Sequence, residues 1–90
     1  MLNRQKHEMY RDILAVCNGG SLITHVMFRT YITHAQAKAY LGELIDAGLV
    51  EYDAPEKKYH TSNKGLQYLN ALESMTEMFA IETRKAKISA

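Results

Sequence analysis

The chain has 90 residues, 47% of them hydrophobic, so it can form one small folded domain and is not generally disordered. Its formal net charge of +1 is close to neutral, and its single cysteine, Cys17, excludes a disulfide within the chain. No apolar run approaches the roughly 20 residues needed to span a membrane, and the first residues lack the apolar core of a secretory signal. We therefore expect a cytoplasmic protein, with Cys17 as a small buried side chain rather than a reactive thiol.

The first predicted helix extends from Asn3 to Cys17. Apolar side chains recur along it at the spacing that places them on one face of a helix. That face consists of Met9, Ile13, Val16 and Cys17, with Tyr10 and Leu14 widening it. Asn18-Gly19-Gly20 ends the helix, because glycine tolerates the left-handed conformation found at helix ends.

A second helix is predicted from Leu22 to Thr30, with Ser21 as its N-cap. Its buried face consists of Ile23, Val26 and Met27. A short turn at Tyr31-Ile32 follows, in which we expect Ile32 to fill the space between this helix and the next.

A third helix is predicted from His34 to Ala47, with Thr33 as its N-cap and Gly48 as its end. Its buried face consists of Ala37, Tyr40, Leu41, Leu44 and Ile45. At Leu49 the apolar period changes from about 3.6 to about 2, which indicates strands. The sequence predicts a β-hairpin whose strands are Leu49–Asp53 and Lys58–Thr61, joined by the loop Ala54-Pro55-Glu56-Lys57.

A last helix is predicted from Asn63 to Lys85, with Thr61 or Ser62 as its cap. At 1.5 Å per residue it would be about 35 Å long, so its end should project beyond a domain of this size. Leu66 and Leu69 should pack on the domain. Beyond them, apolar residues recur with spacings of 4, 3 and 4, as in a coiled-coil seam: Tyr68, Leu72, Met75 and Phe79. We expect this seam to form a homodimer; the alternative is that it packs back on its own domain.

The predicted fold is therefore mostly α with a small β-hairpin: a winged helix-turn-helix with a long C-terminal helix forming a coiled-coil dimer. We divide it into a winged helix-turn-helix domain at residues 1–65 and a dimerisation helix at residues 66–90. In helix-turn-helix proteins the start of the second helix enters the major groove of DNA. The candidate DNA-binding residues on and before that helix are Thr33, His34, Gln36, Ala37 and Lys38.

The hairpin, which would be the wing, adds candidate phosphate contacts at Lys57, Lys58 and His60, with Lys64 at the start of the last helix. Asp53 and Glu56 at the same tip weaken that interpretation. The alternatives for the two surfaces are an ordinary solvated helix face and a plain solvated hairpin.

Enzymatic and metal chemistry have little support in the sequence. His7, His25, His34 and His60 are scattered and form no metal-ligand spacing. Gly19-Gly20 lacks the preceding strand that a phosphate-binding loop requires, and no nucleophile stands beside a base. We therefore expect a protein that is not an enzyme and has no cofactor, no metal and no small-molecule substrate.

Two runs carry a resemblance: TYITHAQAKAYLGELIDAGLVEY at residues 30–52 and KYHTSNKGLQYLNAL at residues 58–72. They resemble the small archaeal winged-helix DNA-binding proteins that dimerise through a long C-terminal antiparallel coiled coil. The resemblance implies a dimer that binds duplex DNA with two recognition helices and two wings, as a transcriptional regulator or a chromatin-associated, nucleoid-located protein. Because this chain is nearly neutral, it favours a regulator or a weak binder over the abundant chromatin type.

The alternative function is a winged helix that serves as a protein-interaction module without binding DNA, because a fold does not fix a function. The low net charge supports this alternative. So do the bunched acids Glu43, Asp46, Glu51, Asp53 and Glu56.

Overall fold

A computed structural model of the protein describes residues 6–75, which form a helical domain with a small antiparallel hairpin. The elements are α1 (Lys6–Cys17), α2 (Ile23–Thr30), α3 (His34–Asp46), β1 (Val50–Asp53), β2 (Lys58–Thr61) and α4, described over 63–75. This confirms the predicted element order. The predicted start of the first helix at Asn3, the stretch from residue 76 to Lys85 and the seam residue Phe79 lie outside the described residues.

The core is built around α1, which contacts α2, α3 and β2. Apolar side chains from every element meet there, and each contributes roughly 1.5–3 kcal/mol when fully removed from water. The buried cluster comprises Met9, Ile13, Leu14, Cys17, Val26, Leu41, Leu44, Leu49, Val50 and Leu69. The predicted face of α1 is confirmed, with Leu14 fully buried and Val16 packed at the edge of the cluster. One predicted core residue is wrong: Ile45 is exposed at the end of α3.

Ser21 does not cap α2, as the sequence had predicted. The N-cap of α2 is Leu22, which makes no side-chain cap hydrogen bond. The Ser21 hydroxyl instead donates to the Val16 carbonyl at 2.7 Å, and its backbone pairs with Tyr59 through hydrogen bonds of 2.8 and 3.0 Å. Ser21 therefore forms a one-residue antiparallel bridge with β2, which connects the end of α1 to the hairpin.

The hairpin pairs β1 with β2 in antiparallel register, from Val50 opposite Thr61 to Asp53 opposite Lys58. The Thr61 hydroxyl donates to the Leu14 carbonyl at 2.6 Å, which anchors the base of the hairpin to α1. β1 starts one residue later than predicted, because the Leu49 N–H still donates to the Leu44 carbonyl at 2.9 Å. Leu49 thus closes the end of α3, where Gly48 takes a positive φ of 78°.

The end of α3 and the start of α4 are bonded to each other. Ser62 is the cap of α4, since its hydroxyl accepts from the Gly65 N–H at 3.0 Å and also donates to the Gly48 carbonyl at 2.7 Å. The Lys64 ammonium donates to the Ala47 carbonyl at 2.9 Å. We call this set of bonds the α3–α4 joint; it fixes the direction in which α4 leaves the domain. Among residues 6–75 no helix has the length and apolar character to cross a membrane.

Candidate nucleic-acid interface

The first turn of α3 is held by a reciprocal pair of hydrogen bonds. The Gln36 N–H donates to the Thr33 hydroxyl at 3.1 Å, and the Thr33 N–H donates to the Gln36 side-chain carbonyl at 3.0 Å. This capping box confirms Thr33 as the N-cap. It also occupies the Gln36 carbonyl, so the side-chain amide NH₂ is what remains for a ligand. A two-point contact with adenine uses both groups and would require the box to open.

The candidate residues of α3 do not share one environment. His34, Gln36 and Lys38 are exposed, as a DNA contact requires. Ala37 is fully buried, so its inclusion among the DNA-binding candidates was wrong. Its methyl group belongs to the inward face of the helix together with Leu41 and Leu44.

The strip of α3 that faces away from the core carries short side chains. Helical periodicity places Ala35, Ala39, Gly42 and Asp46 opposite the buried residues. None of the first three has a polar side-chain atom, so reaching a base edge falls to the flanking His34, Gln36 and Lys38. The helix backbone can approach DNA closely along this strip, but few side chains there can contact base edges.

Glu43, an acid of α3, is held by α1. Its carboxylate lies 3.0 Å from the Lys6 ammonium and accepts from the Tyr10 hydroxyl at 2.9 Å. These hydrogen bonds lower the pKa of Glu43, and the bond to Glu43 raises the pKa of Lys6. We call Lys6, Tyr10 and Glu43 the α1–α3 clasp. Because the clasp compensates the Glu43 charge, this carboxylate opposes a polyanion less than its position in the sequence suggested.

The cations of the wing differ in their surroundings. Lys58 lies 3.7 Å from the Glu56 carboxylate, and the His60 imidazole lies 4.0 Å from the Asp53 carboxylate. The His60 ring also packs over Gly20, where an added Cβ would come within 2.6 Å of it. Lys57 lies in the loop and takes a left-handed φ of 56°. It is exposed and has no ion-pair partner among the described residues. It is the wing cation best placed to meet a phosphate.

Lys64 is separated from the other candidates. Its ammonium caps the C-terminal end of α3, about 20 Å along the helix axis from His34. The structure therefore brings His34, Gln36 and Lys38 together at one end of α3 and Lys64 to the opposite end. Sequence reasoning missed this role, because the partner carbonyl, at Ala47, is 17 residues away.

The described part of the seam leaves apolar surface uncovered. Leu69 is buried on the domain, as predicted, while Tyr68 is exposed and Met75 is 66% exposed. Leu72 is half-buried. Within residues 6–75 the domain itself does not cover Met75, which argues against the packing-back alternative at that position.

Neither Cys17 nor the acidic side chains form an evident reactive or metal-binding site among the described residues. Burial raises the pKa of the Cys17 thiol to about 12, which agrees with its interpretation as a small core side chain. Over residues 6–75 no group of three or more His, Cys, Asp or Glu side chains is placed to hold a metal ion.

The sequence profile of a family described as winged helix-turn-helix matches residues 3–80, which is most of the chain. The protein therefore belongs to the winged helix-turn-helix family. Among solved structures, it is similar to that of Sso10a-2, a DNA-binding protein from Sulfolobus solfataricus, with a TM-score of 0.80 and 25% sequence identity. The match covers 96% of this chain and 94% of that one. No significant match was found among curated proteins.

Proposed function

We propose that the protein binds double-stranded DNA, with the first turn of α3 in the major groove and the wing tip on a neighbouring phosphate. The observation that carries the proposal is the capped, exposed and acid-free start of α3. The side chains of His34, Gln36 and Lys38 can all donate hydrogen bonds there, and no Asp or Glu occurs in the sequence between Asp12 and Glu43. Family membership and the DNA-binding structural neighbour support the same conclusion.

The proposed contact set is narrower than the sequence alone suggested. Thr33 and Lys38 would bond phosphates, and His34 and Gln36 would reach base edges. Lys57 would hold a phosphate beside the groove, with Lys58 weakened by Glu56. Ala37, His60 and Lys64 are left out because each is already engaged within the fold.

We further propose that two copies act together, joined through the seam Tyr68, Leu72, Met75 and Phe79. The exposed apolar surface of Tyr68 and Met75 supports this, since a small domain gains stability by covering such surface. Residues 1–65 would then be the binding head and residues 66–90 the dimerisation helix. The protein would be a non-enzymatic regulator or chromatin-associated protein, and its near-neutral charge favours the regulator.

A second candidate function is protein interaction without DNA. The hairpin favours it, because the wing carries the acids Glu51, Asp53 and Glu56. Tyr52 is exposed on the opposite face of β1 from Glu51 and Asp53. These acids repel a phosphate backbone and would suit a basic partner surface.

The test is the salt dependence of binding to a random-sequence duplex, measured by fluorescence anisotropy. Two copies offering Lys38, Lys57 and Lys58 would give a log–log slope approaching about −5, since each phosphate contact contributes about −0.9. The wing acids reduce this, so we expect a slope of roughly −3 to −5. Lys38→Ala should flatten the slope by about 2, because each copy loses one contact.

The matched control is Lys64→Ala, which removes the same charge from the other end of α3. It should leave the slope unchanged, provided that thermal unfolding confirms a folded variant. Equal effects of the two substitutions would mean that total charge alone governs binding. A slope near zero, or no complex at low salt, would reject DNA binding and favour the protein-interaction candidate.

A further inference from the structure

The outer face of α2 and the turn after it expose two aromatic rings. Phe28 is 77% exposed and Tyr31 is 89% exposed. Both lie away from the face that buries Val26 and Thr30. Rings so open to water contribute little to the described fold, and exposed aromatic side chains that lie near one another are typical of interaction surfaces.

Tyr31 is also held in an unfavourable backbone conformation. Its φ of 58° and ψ of 47° are left-handed, and its N–H donates to the Met27 carbonyl to close the end of α2. Glycine or asparagine usually occupies such a helix-end position, because a Cβ is disfavoured there. Because the ring is almost fully exposed, its packing within residues 6–75 does not offset the cost of this backbone conformation. The fold therefore does not explain why a tyrosine occupies this position.

Arg29, a cation, and His25, a hydrogen-bond donor, lie on the side of α2 that faces α1. His25 and Arg29, one turn apart on α2, line an open groove of about 200 Å³ together with Ala15 and Val16 of α1. Arg29 has no ion-pair partner among the described residues, and no Asp or Glu occurs in the sequence from residue 13 to residue 42. The groove therefore attracts an anionic chain.

Phe28 lies one helical turn after His25, so its ring is next to the rim of the groove without lining it. Tyr31 follows three residues after Phe28, at the end of the same helix. A positively charged groove next to exposed aromatic rings is the arrangement that binds single-stranded nucleic acid: phosphates follow the groove and unpaired bases stack on the rings. Bases within a duplex are already stacked on one another and cannot offer their faces.

We propose that this surface, formed by His25, Phe28, Arg29 and Tyr31, binds single-stranded nucleic acid. The surface adjoins the start of α3, since Tyr31 comes two residues before Thr33, but its ligand is an unpaired strand, so the proposal goes beyond duplex binding. Arg29 and His25 hold phosphates, and Phe28 and Tyr31 each take one base.

The test compares the affinity of the full chain for a labelled oligothymidylate and for a duplex, at one low salt concentration. Phe28→Ala and Tyr31→Ala should each weaken oligothymidylate binding by about 5- to 150-fold, the range for loss of one stacked base. In Phe28→Ala, whose ring lies on the outer face of α2 away from the start of α3, duplex binding should change less than about twofold. The matched control is Tyr52→Ala, which removes an exposed ring from the wing and should leave oligothymidylate binding unchanged.

Two further variants separate binding from folding. Tyr31→Gly should raise the melting temperature, because glycine accepts the left-handed conformation, and yet weaken oligothymidylate binding as Tyr31→Ala does. Tyr31→Phe should retain binding, since stacking needs the ring and not the hydroxyl. A variant that lost both stability and binding would indicate a structural role and overturn the proposal.

Arg29→Ala should flatten the salt slope for oligothymidylate by about 0.7, the contribution of one phosphate of a single strand. The proposal is overturned if the wild-type protein does not bind oligothymidylate, or if Phe28→Ala loses duplex binding in parallel. Loss of duplex binding alone in the Lys38→Ala variant bears on the α3 proposal and leaves this one standing, so the two can fail independently.

Discussion

Gly65 and Gly42 both lie in helices, yet the space around them differs sharply. A Cβ on Gly65 would collide with the Leu49 carbonyl and approach the Thr61 methyl group at 2.7 Å. A Cβ on Gly42 would meet nothing within 4 Å. The Leu49 carbonyl cannot move aside freely, because it accepts the Ser62 N–H at 2.9 Å.

Gly65→Ala should therefore destabilise the protein by about 1–3 kcal/mol, the usual cost of overpacking. Gly42→Ala, its control at a half-buried helix position where an added Cβ meets open space, should stabilise by about 0.5–1 kcal/mol through the higher helix propensity of alanine. Chemical denaturation of the three proteins measures both changes. Shifts of the same sign in the two variants would contradict the packing described at the base of α4.

Single residues also mark the limit of sequence-based prediction. Thr33 and Gln36 carry a readable capping signature, so the reciprocal bonds at the start of α3 could have been predicted in full. Ser21 could not, because a serine before a helix suggests a cap, and its actual partners are the Val16 carbonyl and the backbone of Tyr59. The turn at Tyr31 was predicted, but its left-handed conformation was not, since nothing in the sequence indicates a left-handed tyrosine.

At the scale of elements, the α1–α3 clasp links stability to pH. Glu43 has a lowered pKa in the folded protein, so it contributes stability above its ordinary value of 4.5. That contribution is lost as the pH falls through the lowered pKa of the folded state. The wild-type protein should therefore be more stable than Glu43→Gln at pH 7, and the difference should shrink on acidification to pH 3.

Urea midpoints at the two pH values provide the measurement. Because the carboxylate is exposed and screened, we expect a small difference at pH 7, one that also decreases in high salt. Asp46→Gln is a matched control, since it changes an exposed acid on the same helix outside the clasp. A wild-type advantage that persisted at pH 3 would show that Glu43 acts through packing rather than charge.

Elements were predicted well where local patterns specify them and poorly where distant groups meet. The bounds of β2 and the glycine end of α3 follow from period and turn chemistry over a few residues. The clasp joins Tyr10 to Glu43 across 33 positions, and the α3–α4 joint uses a lysine that reads as a surface cation. Such contacts arise from the packing of helices, which a single sequence does not encode in any local pattern.

For the whole molecule, the testable quantity is the number of chains that associate. Met75→Glu should weaken the proposed dimer, because it puts a charge into an exposed apolar position of the seam without touching the core. Adding Leu72→Glu and Phe79→Glu should complete the dissociation. Light scattering measures the mass, and circular dichroism checks that the heads remain folded.

Glu73→Gln is the control, since it alters an exposed residue of α4 outside the seam and should leave the mass unchanged. A triple variant that keeps the mass of a dimer would exclude α4 as the site of association. If it becomes a folded monomer, duplex affinity should fall as well, because two linked heads bind with a higher effective concentration than one.

The α3–α4 joint makes the length of α4 determine how two associated copies are placed relative to each other. Because Ser62 and Lys64 bond the end of α3, the direction of α4 is fixed relative to the rest of the domain. If α4 pairs two copies, every residue inserted along it would shift one head by about 1.5 Å and rotate it by about 100° relative to the other. The length of α4 would then set both the distance between two bound DNA segments and the side of the duplex that each head faces.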